Sequence, residues 1–575
     1  MRLILKTKLW FSNYVVKVNK SQFRHFAKAL SQEQTTVGPN QETLTGRILL
    51  YLNIENEQHR MPGQNTSKIL GSVRQNTNHL GKLSTNEIIN FSGALNDHEL
   101  TKNERLLIVK QIDLECCLRL PHLSTVDILK MLNIYMKVFP SRIADFKFYK
   151  HSIEQLSNSL HHLAKKDLLQ LIFYIGLAKK NFDSQTRMRQ CIRVMDKDFI
   201  DSLSSEELCI ICSATFKTST KLIINKLLLE KIKQHIHNNL PVLNDCALFV
   251  TLVKSLRHNR YQDDNLLNTI SYTIFFNKTF RHYSFPAICH ILALFADYFY
   301  YDEKLFQMFT KTCLDQLSES NFVSKELHLS EQLRGKDIKR FLWIMSMFSD
   351  LKLVDHGDMK DVIIPKLIER IRLGEFERDV DSLTDIILFC WMLNYRPYEL
   401  VPYVLNKRNL QFGESINNSK RNLRLNLLLY VIYLEDPDLS KKLAVKPVSI
   451  PNNVFSAYQL HKRPLLQRVL NKLNAIRKEM NLYKFEMTQE IPHLNIIGIT
   501  GYKNENDKAV YVEVLDDYNR VRNLDEDVPV GLMALKLRLL DRSEEGVLTV
   551  SQREVENMTD ADLTDYLREE IKLIY

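Results

Sequence analysis

A leucine recurs every forty residues through the first half of the chain. The copies and the residues that follow them are Leu83-Ser84, Leu123-Ser124, Leu163-Ala164, Leu203-Ser204 and Leu243-Asn244. Four of the five following residues can cap a helix, because a short side-chain oxygen accepts hydrogen bonds from the free N–H groups of the first turn. Acids that complement the helix dipole come three residues later, at Glu87, Asp127, Asp167 and Glu207. The pattern predicts a helix start every forty residues.

A second amphipathic stretch follows each predicted start, so each unit is predicted to contain two helices. The fifth copy slips, with Asp245 two places early, and Ser284 with Pro286 marks a sixth copy. Two-helix repeats of about 40 residues are typical of an α-solenoid; an irregular helical domain is the alternative. The predicted fold class is therefore mainly α, with a helical-repeat region over 83–330. Later starts, near Asp337 and Asp385, follow longer steps.

Composition agrees with a mostly helical chain and predicts neither a metal site nor a cofactor. Of 575 residues only 15 are Gly and 15 are Pro, and chains rich in β-hairpins need more of both. Cys209 and Cys212 form a lone C-x-x-C pair, whereas a zinc site would need two more ligands at matching spacing. We interpret this pair as core packing. No apolar run is long enough to predict a membrane span.

The first 32 residues contain seven basic side chains and no acid. This composition is typical of a mitochondrial presequence, so we predict a presequence over 1–32, a polar segment over 33–82 and a location in the mitochondrial matrix. A basic first helix of the fold is the alternative. The net charge is +11 over 33–500 but −8 over 501–575. Helical repeats bind peptides, proteins or single-stranded RNA, and this charge favours RNA as the partner of the middle of the chain.

The pattern changes near residue 491, where strand-like runs such as "LNIIGIT", "AVYVEVLD" and "GVLTV" alternate with helical stretches. This predicts a small α/β domain over 491–575. The stretch from "AVYVEVLDDYNRV" through "GLMALKLRLLDRS" to "LTDYLREEI" resembles a RAP domain. Segments from Asp385 and Leu427 resemble the helical region that precedes it in the FAST kinase domain-containing proteins, and this resemblance implies a FAST-like helical region over 331–490. The resemblance implies a mitochondrial RNA-binding protein acting in mRNA processing, stability or translation, often beside other RNA-granule proteins. A kinase is not expected, because the chain has no Gly-rich phosphate loop and no H-R-D or D-F-G motif.

RAP domains also resemble the PD-(D/E)xK nuclease fold, in which carboxylates hold Mg²⁺ and a lysine positions water. Glu513 lies on the corresponding strand, but Leu515 occupies the lysine position and Asn495 stands where an Asp is wanted. Asp516 and Asp517 follow the strand and could supply oxygens, although paired acids at a strand end are more often a solvated turn. We therefore expect no intrinsic catalysis, and we expect Glu513→Gln to behave as a mild surface substitution.

Two basic helices are candidates for phosphate contact. In "HKRPLLQRVLNKLNAIRKEM" an apolar face is predicted at Leu465, Val469, Leu473 and Ile476. The basic candidates beside this face are Arg463, Arg468, Lys472 and Arg477. In "LKLRLL" the candidates are Lys536 and Arg538. A solvated charged face is the alternative for both. Three functional hypotheses follow: an RNA-binding protein, a metal-dependent RNA endonuclease that uses Glu513, and a scaffold whose repeats bind a polypeptide.

Overall fold

A computed structural model describes residues 47–48, 51–52, 69–73 and most of 77–574. The exceptions within the last range are 94, 96–99, 139–141, 239–244, 277–282, 320–332, 378, 406–419, 444–460, 506 and 544. The predicted presequence over 1–32 therefore lies outside the described residues. The chain forms two compact units, 1–232 and 233–575. It is mostly helical with a small four-stranded sheet near its C-terminus, which confirms the predicted fold class. Among the described residues, no helix has both the length and the apolarity to cross a membrane.

The first unit consists of helices arranged in successive pairs. They are α1 Thr85–Gly93, α2 Lys102–Arg119, α3 Thr125–Val138, α4 Lys147–Asn158, α5 Lys165–Leu177, α6 Phe182–Arg193, the short α7 Lys197–Asp201, α8 Ser205–Thr218 and α9 Lys226–Asn238, which contains the boundary between units. The forty-residue starts correspond to α1, α3, α5 and α8. Where α8 begins, Ser204 Oγ accepts from Glu207 N while the Glu207 carboxylate accepts from Ser204 N. The side chain of Ala164 has no oxygen, so α5 begins without a side-chain cap.

The second unit continues the helical pairs. Its helices are α10 Cys246–Asn259, α11 Asp264–Phe276, α12 Phe285–Asp297, α13 Glu303–Glu319, α14 Gly335–Met347, a π-helical turn Asp358–Ile363 leading into α15 Ile364–Arg372, α16 Val380–Met392, the short α17 Val401–Val404, α18 Lys420–Glu435 and α19 Pro437–Leu443. In the fifth copy the acid is Asp245, two places earlier than in the other copies. It caps α10 itself, because its Oδ1 accepts hydrogen bonds from Ala247 N and Leu248 N. Helices α10, α12, α14, α16 and α18 pack side by side in that order and are called the helix row.

A left-handed residue follows the first helix of six successive pairs. These residues are Lys179, Ser219, Arg260, Phe299, Lys352 and Asn394, each with φ between 51° and 57°. The left-handed conformation costs a residue with a Cβ about 1–2 kcal/mol, and glycine would normally supply it. The chain instead uses ordinary side chains at these corners. The corners are therefore a second repeating feature, which the leucine pattern does not reveal.

The sheet lies in a domain that begins earlier than the predicted residue 491. Its elements are α20 Pro464–Ile476, β1 Lys484–Thr488, β2 Gly498–Tyr502, β3 Lys508–Leu515, α21 Gly531–Leu540, β4 Gly546–Ser551, the short α22 Gln552–Val555 and α23 Asp560–Ile574. Strands are ordered β1-β2-β3-β4; the first two pairings are antiparallel and β3–β4 is parallel. Helices α20 and α23 cover one face, where Leu466 rather than the predicted Leu465 is fully buried. Residues 463–574, which include Arg463 just before α20, are called the sheet domain.

The sheet domain packs directly onto the helical pairs of its own unit. Arg522 N donates to the carbonyl of the corner residue Phe299 at 2.9 Å. Helix α21 lies against α14, α16 and α18, and a Cβ at Gly531 would collide with the Ser346 carbonyl of α14. Glycine at this position therefore permits the close approach of α21 to the helix row.

Candidate nucleic-acid interface

The predicted catalytic carboxylate is sealed inside the sheet domain. Glu513 on β3 and Lys536 on α21 are both 0% exposed and form an ion pair. Since Val512 and Val514 face the core shared with α20 and α23, period-two alternation turns Glu513 to the opposite face, toward α21. A Cβ on Gly498 would occupy the space of the Glu513 carboxylate, so glycine is required there. The expectation that Glu513 is a surface residue is wrong.

A second buried carboxylate, missed in the sequence, lies just after β1. Glu490 Oε2 accepts from Lys508 Nζ at 2.7 Å, and its Oε1 accepts from Thr500 Oγ1. Burial alone would raise the pKa of Glu490, but the donors Lys508, Thr488 and Thr500 outweigh burial and hold that pKa below its usual value. Burial lowers the pKa of Lys536, and the nearby Glu513 opposes that shift. Protein donors thus occupy the Glu490 carboxylate. Lys536 compensates the charge of Glu513, but neither Glu513 oxygen has hydrogen-bond geometry with a donor among the described residues.

The two acids after β3 have separate roles. Asp516 is buried and accepts from Arg463 Nε at 2.7 Å, whereas Asp517 is 60% exposed and pairs with Arg520 at 2.9 Å. A cleft of about 440 Å³ lies beside these residues, and neither Glu513 nor Lys536 lines it. Among the described residues, no group of three or more Cys, His, Asp or Glu could hold a metal ion.

Most of the predicted phosphate-contacting residues have partners within the protein. Arg463 is 0% exposed, and besides Asp516 it donates to the carbonyls of Ile497 and Val514. Arg468 and Lys472 both pair with the exposed Asp560 at the start of α23, at 3.0 and 2.7 Å. Within the described chain, Arg477 has no ion pair.

The basic residues of α21 behave in the same way. Lys536 holds Glu513, and Arg538 reaches the helix row, where its Nε donates to Glu435 Oε1 at 2.8 Å and one terminal N–H donates to the Trp391 carbonyl at 2.7 Å. Trp391 Nε1 also donates to Glu435, at 2.7 Å. These contacts fix the sheet domain to the helix row. Contact of the six basic candidates with RNA stays a prediction.

A concentration of positive charge that the sequence did not predict lies on the helix row. It consists of Lys254 and Arg257 on α10, His290 on α12, and Arg334, Arg340 and Trp343 at the start of α14 and along it, and it is called the cationic surface. The guanidinium of Arg257 lies over the Trp343 ring, 5.7 Å from its centroid. Cations beside a half-buried indole are the groups with which proteins bind phosphates and stack bases.

Carboxylates compensate only part of this charge. Buried Asp337 accepts from Arg334 Nε at 2.7 Å and from Arg340 at 3.1 Å. Asp297 pairs with Arg257 at 2.7 Å. No carboxylate lies within 4 Å of the Lys254 ammonium in the described part of the chain.

The protonation of the cationic surface reflects this imbalance. Burial, followed by the charges of Arg340 and Arg334, lowers the pKa of Lys254 to about 8. Burial and the same cations place the pKa of His290 far below its usual value, so the imidazole is neutral at pH 7. His290 Nδ1 is buried and lacks a hydrogen-bond partner among the described residues. Buried cations that repel one another form a favourable site for an anion.

The cationic surface was missed because its members are far apart in sequence. Lys254 and Arg257 are three residues apart, but His290 and Arg340 join them only through the packing of α10, α12 and α14. The forty-residue spacing between Arg257 and its partner Asp297 matches the repeat, and it is the sequence signal that could have indicated the cationic surface. No model of a known protein family matches the chain, and no curated protein shows significant similarity to it.

Proposed function

We propose that this is an RNA-binding protein of the mitochondrial matrix that acts in the processing, stability or translation of mitochondrial mRNA. The observation that carries RNA binding is the cationic surface, where the half-buried Lys254 lacks a carboxylate partner among the described residues. The net charge of +11 over 33–500 supports a polyanionic ligand. The composition of residues 1–32 and the resemblance to FAST kinase domain-containing proteins support the location and the role in mRNA metabolism.

The test is binding of a labelled single-stranded RNA by the full chain, measured by fluorescence anisotropy over a range of salt. We expect affinity that falls steeply with salt, and Lys254→Met should weaken it about tenfold, the loss of one desolvated charge-assisted contact. Lys311→Met removes an exposed charge from α13, outside the cationic surface, and serves as the matched control. No retention of RNA by the wild-type chain, or equal effects of the two substitutions, would contradict the proposal.

One observation bears on the endonuclease alternative. Helix α21 supplies Lys536 to Glu513 although Leu515 occupies the expected lysine position, so two elements of a nuclease centre are together. Both side chains are fully buried, however, and hydrolysis needs a metal and an attacking water beside the carboxylate. We therefore favour binding without cleavage. RNA cleavage that requires Mg²⁺ or Mn²⁺ and disappears in Glu513→Gln would establish the alternative.

A further inference from the structure

Two neighbouring corners of the first unit combine exposed aromatic rings with lysines. Phe182, the first residue of α6, is 79% exposed, and Phe216, in the last turn of α8, is 45% exposed. Lys179 and Lys180 precede Phe182, and Lys217 follows Phe216; all three lysines are exposed. These five residues are called the corner surface.

The two corners are close in space. Helices α5 and α8 pack against each other, and Gln185 Nε2, in the first turn of α6, donates to the carbonyl of the left-handed corner residue Ser219 at 3.5 Å. Burial of its charged end, and then the charge of Lys179, lower the pKa of Lys217, although the residue as a whole is exposed. Lysines from two successive repeats thus repel one another across the corner surface, as the cations of the cationic surface do.

Folding does not require an aromatic ring at Phe182. Helix α6 is capped by Asn181, whose Oδ1 accepts from Ser184 N at 2.8 Å, and the buried side of α6 is formed by Met188, Cys191 and Ile192. A ring that is 79% exposed buries little apolar area, so it contributes little hydrophobic stabilisation to the fold. An exposed ring next to lysines is instead the arrangement that binds unpaired bases, because every base can stack on an aromatic face.

We propose that the corner surface binds single-stranded RNA, with bases stacked on Phe182 and Phe216 and phosphates in contact with Lys179, Lys180 and Lys217. This inference rests on the proposed function and adds to it a site in the first unit and a mode of contact. Stacking needs unpaired bases, so the corner surface should prefer a single strand to a duplex of the same length. An acidic polypeptide is the other ligand that lysines and apolar rings could attract, and the experiment below separates it.

The experiment compares full-length variants that bind a labelled 20-nucleotide RNA of mixed sequence, as a single strand and as a duplex. We expect Phe182→Ala/Phe216→Ala to raise the Kd for the single strand about tenfold or more. The salt dependence should be unchanged, because no phosphate contact is removed, and the Kd for the duplex should change far less. Phe182→Trp/Phe216→Trp should keep wild-type affinity. Leu114→Ala/Leu118→Ala, which removes exposed apolar side chains from α2 of the same unit, should have no effect.

The proposal is overturned if the alanine double variant is folded, as checked by circular dichroism, and its Kd for the single strand lies within about twofold of the wild-type value. That result is expected if the corner surface binds a polypeptide and not RNA. It is also overturned if the leucine control loses as much affinity. Should the double variant unfold, Phe182→Ala alone decides by the same criterion, since its exposed ring leaves no cavity. A wild-type chain that binds no RNA refutes the proposed function together with this inference. If Lys254→Met weakens binding and the phenylalanine variants do not, only the corner surface is refuted.

Discussion

The sheet domain and the helix row both remove cations from water, but they compensate them differently. In the sheet domain, fully buried Arg463 has Asp516 and two carbonyls, and fully buried Lys536 has Glu513. In the helix row, half-buried Lys254 has positive neighbours and, in the described part of the chain, no carboxylate within 4 Å. A buried pair stabilises a fold only when its charges are matched, whereas unmatched charge costs stability. The first set of cations therefore has partners within the structure, and the lack of such partners in the second set is the basis of the proposal that it binds a ligand.

The largest effect is expected when a matched pair is broken. Glu513→Gln leaves the Lys536 ammonium buried without its counter-charge, so the sheet domain should lose about 3–5 kcal/mol of stability. Hydrogen exchange of the β3 amides in the full chain measures this loss as faster local opening. Asp517→Asn removes one acid from the exposed turn of the same domain and should leave exchange in β3 nearly unchanged.

Glu513→Gln/Lys536→Met removes both charges, and it should recover much of the lost stability because neither ion is then left unpaired. If Glu513→Gln has no more effect on exchange than Asp517→Asn, the ion pair does not stabilise the domain. The first half of the comparison would then fail.

The opposite sign is expected in the helix row. Lys254→Met keeps the apolar stem and removes the repulsion by Arg340 and Arg334. The free energy of unfolding of the RNA-free protein should therefore rise by about 2 kcal/mol. This value corresponds to the lowering of the Lys254 pKa, reduced because the side chain is partly exposed. The measurement is thermal unfolding of the full chain without RNA, with Lys311→Met as the control. A variant that gains stability and loses RNA affinity is the pattern expected of a binding residue. If Lys254→Met destabilises the protein, the cationic surface is part of the fold.

A pH dependence follows from the same group. Lys254 has a pKa of about 8 when folded and of about 10.4 when unfolded. Below pH 8 Lys254 is charged in both the folded and the unfolded state, so the full free-energy cost of its buried charge is present. Stability should rise between pH 8 and 10.4, because the folded form loses this proton before the unfolded form does. Bound RNA should stabilise the protonated form of Lys254. The affinity for RNA should therefore fall by up to about tenfold from pH 7 to pH 9.

Arg334, Arg340, Asp337, His290 and Cys246 are the other charged or titratable groups near Lys254. Asp337 is ion-paired with Arg334 and Arg340. His290 is already neutral, and burial raises the pKa of Cys246 to about 11. Lys254→Met should therefore lose the pH dependence, which anisotropy titrations at the two pH values can measure. A dependence that persists in this variant would assign it to another group.

Features that depend on neighbouring residues in the chain could be predicted from the sequence, and features that depend on packing could not. Ser204 with Glu207 forms a local capping box, so its helix start and forty-residue repeat were correctly predicted. β1 was missed because "KFEMT" is short and alternates polar with apolar residues only once or twice. The burial of Glu513 depends on Gly498 and Lys536, which lie on two other elements.

The same limit applies to the candidate sites. The number of basic residues along α20 and α21 predicts charged helix faces, but it does not show which carboxylate a distant element supplies to them. Asp560 and Glu435 lie 92 and 103 residues from Arg468 and Arg538. Nothing in "VKSLRHN" distinguishes an unmatched lysine at Lys254 from a solvated one. Matching of charges, which decides between structure and binding, is a property of the folded chain.

The smallest effect is expected at a cation that is matched and near the surface. Lys472 pairs with Asp560 at 2.7 Å, and Arg468 holds the same carboxylate from the preceding turn of α20. Lys472→Ala should therefore leave RNA affinity within about twofold of wild type and should not change its salt dependence. Lys254→Met, by contrast, should reduce the slope of log Kd against log salt by about 0.7, the value for one phosphate contact on a single strand. Both slopes come from the same anisotropy titrations. If Lys472→Ala lowers the slope as much as Lys254→Met does, RNA also contacts α20, and a matched cation can bind a phosphate by exchanging Asp560 for it.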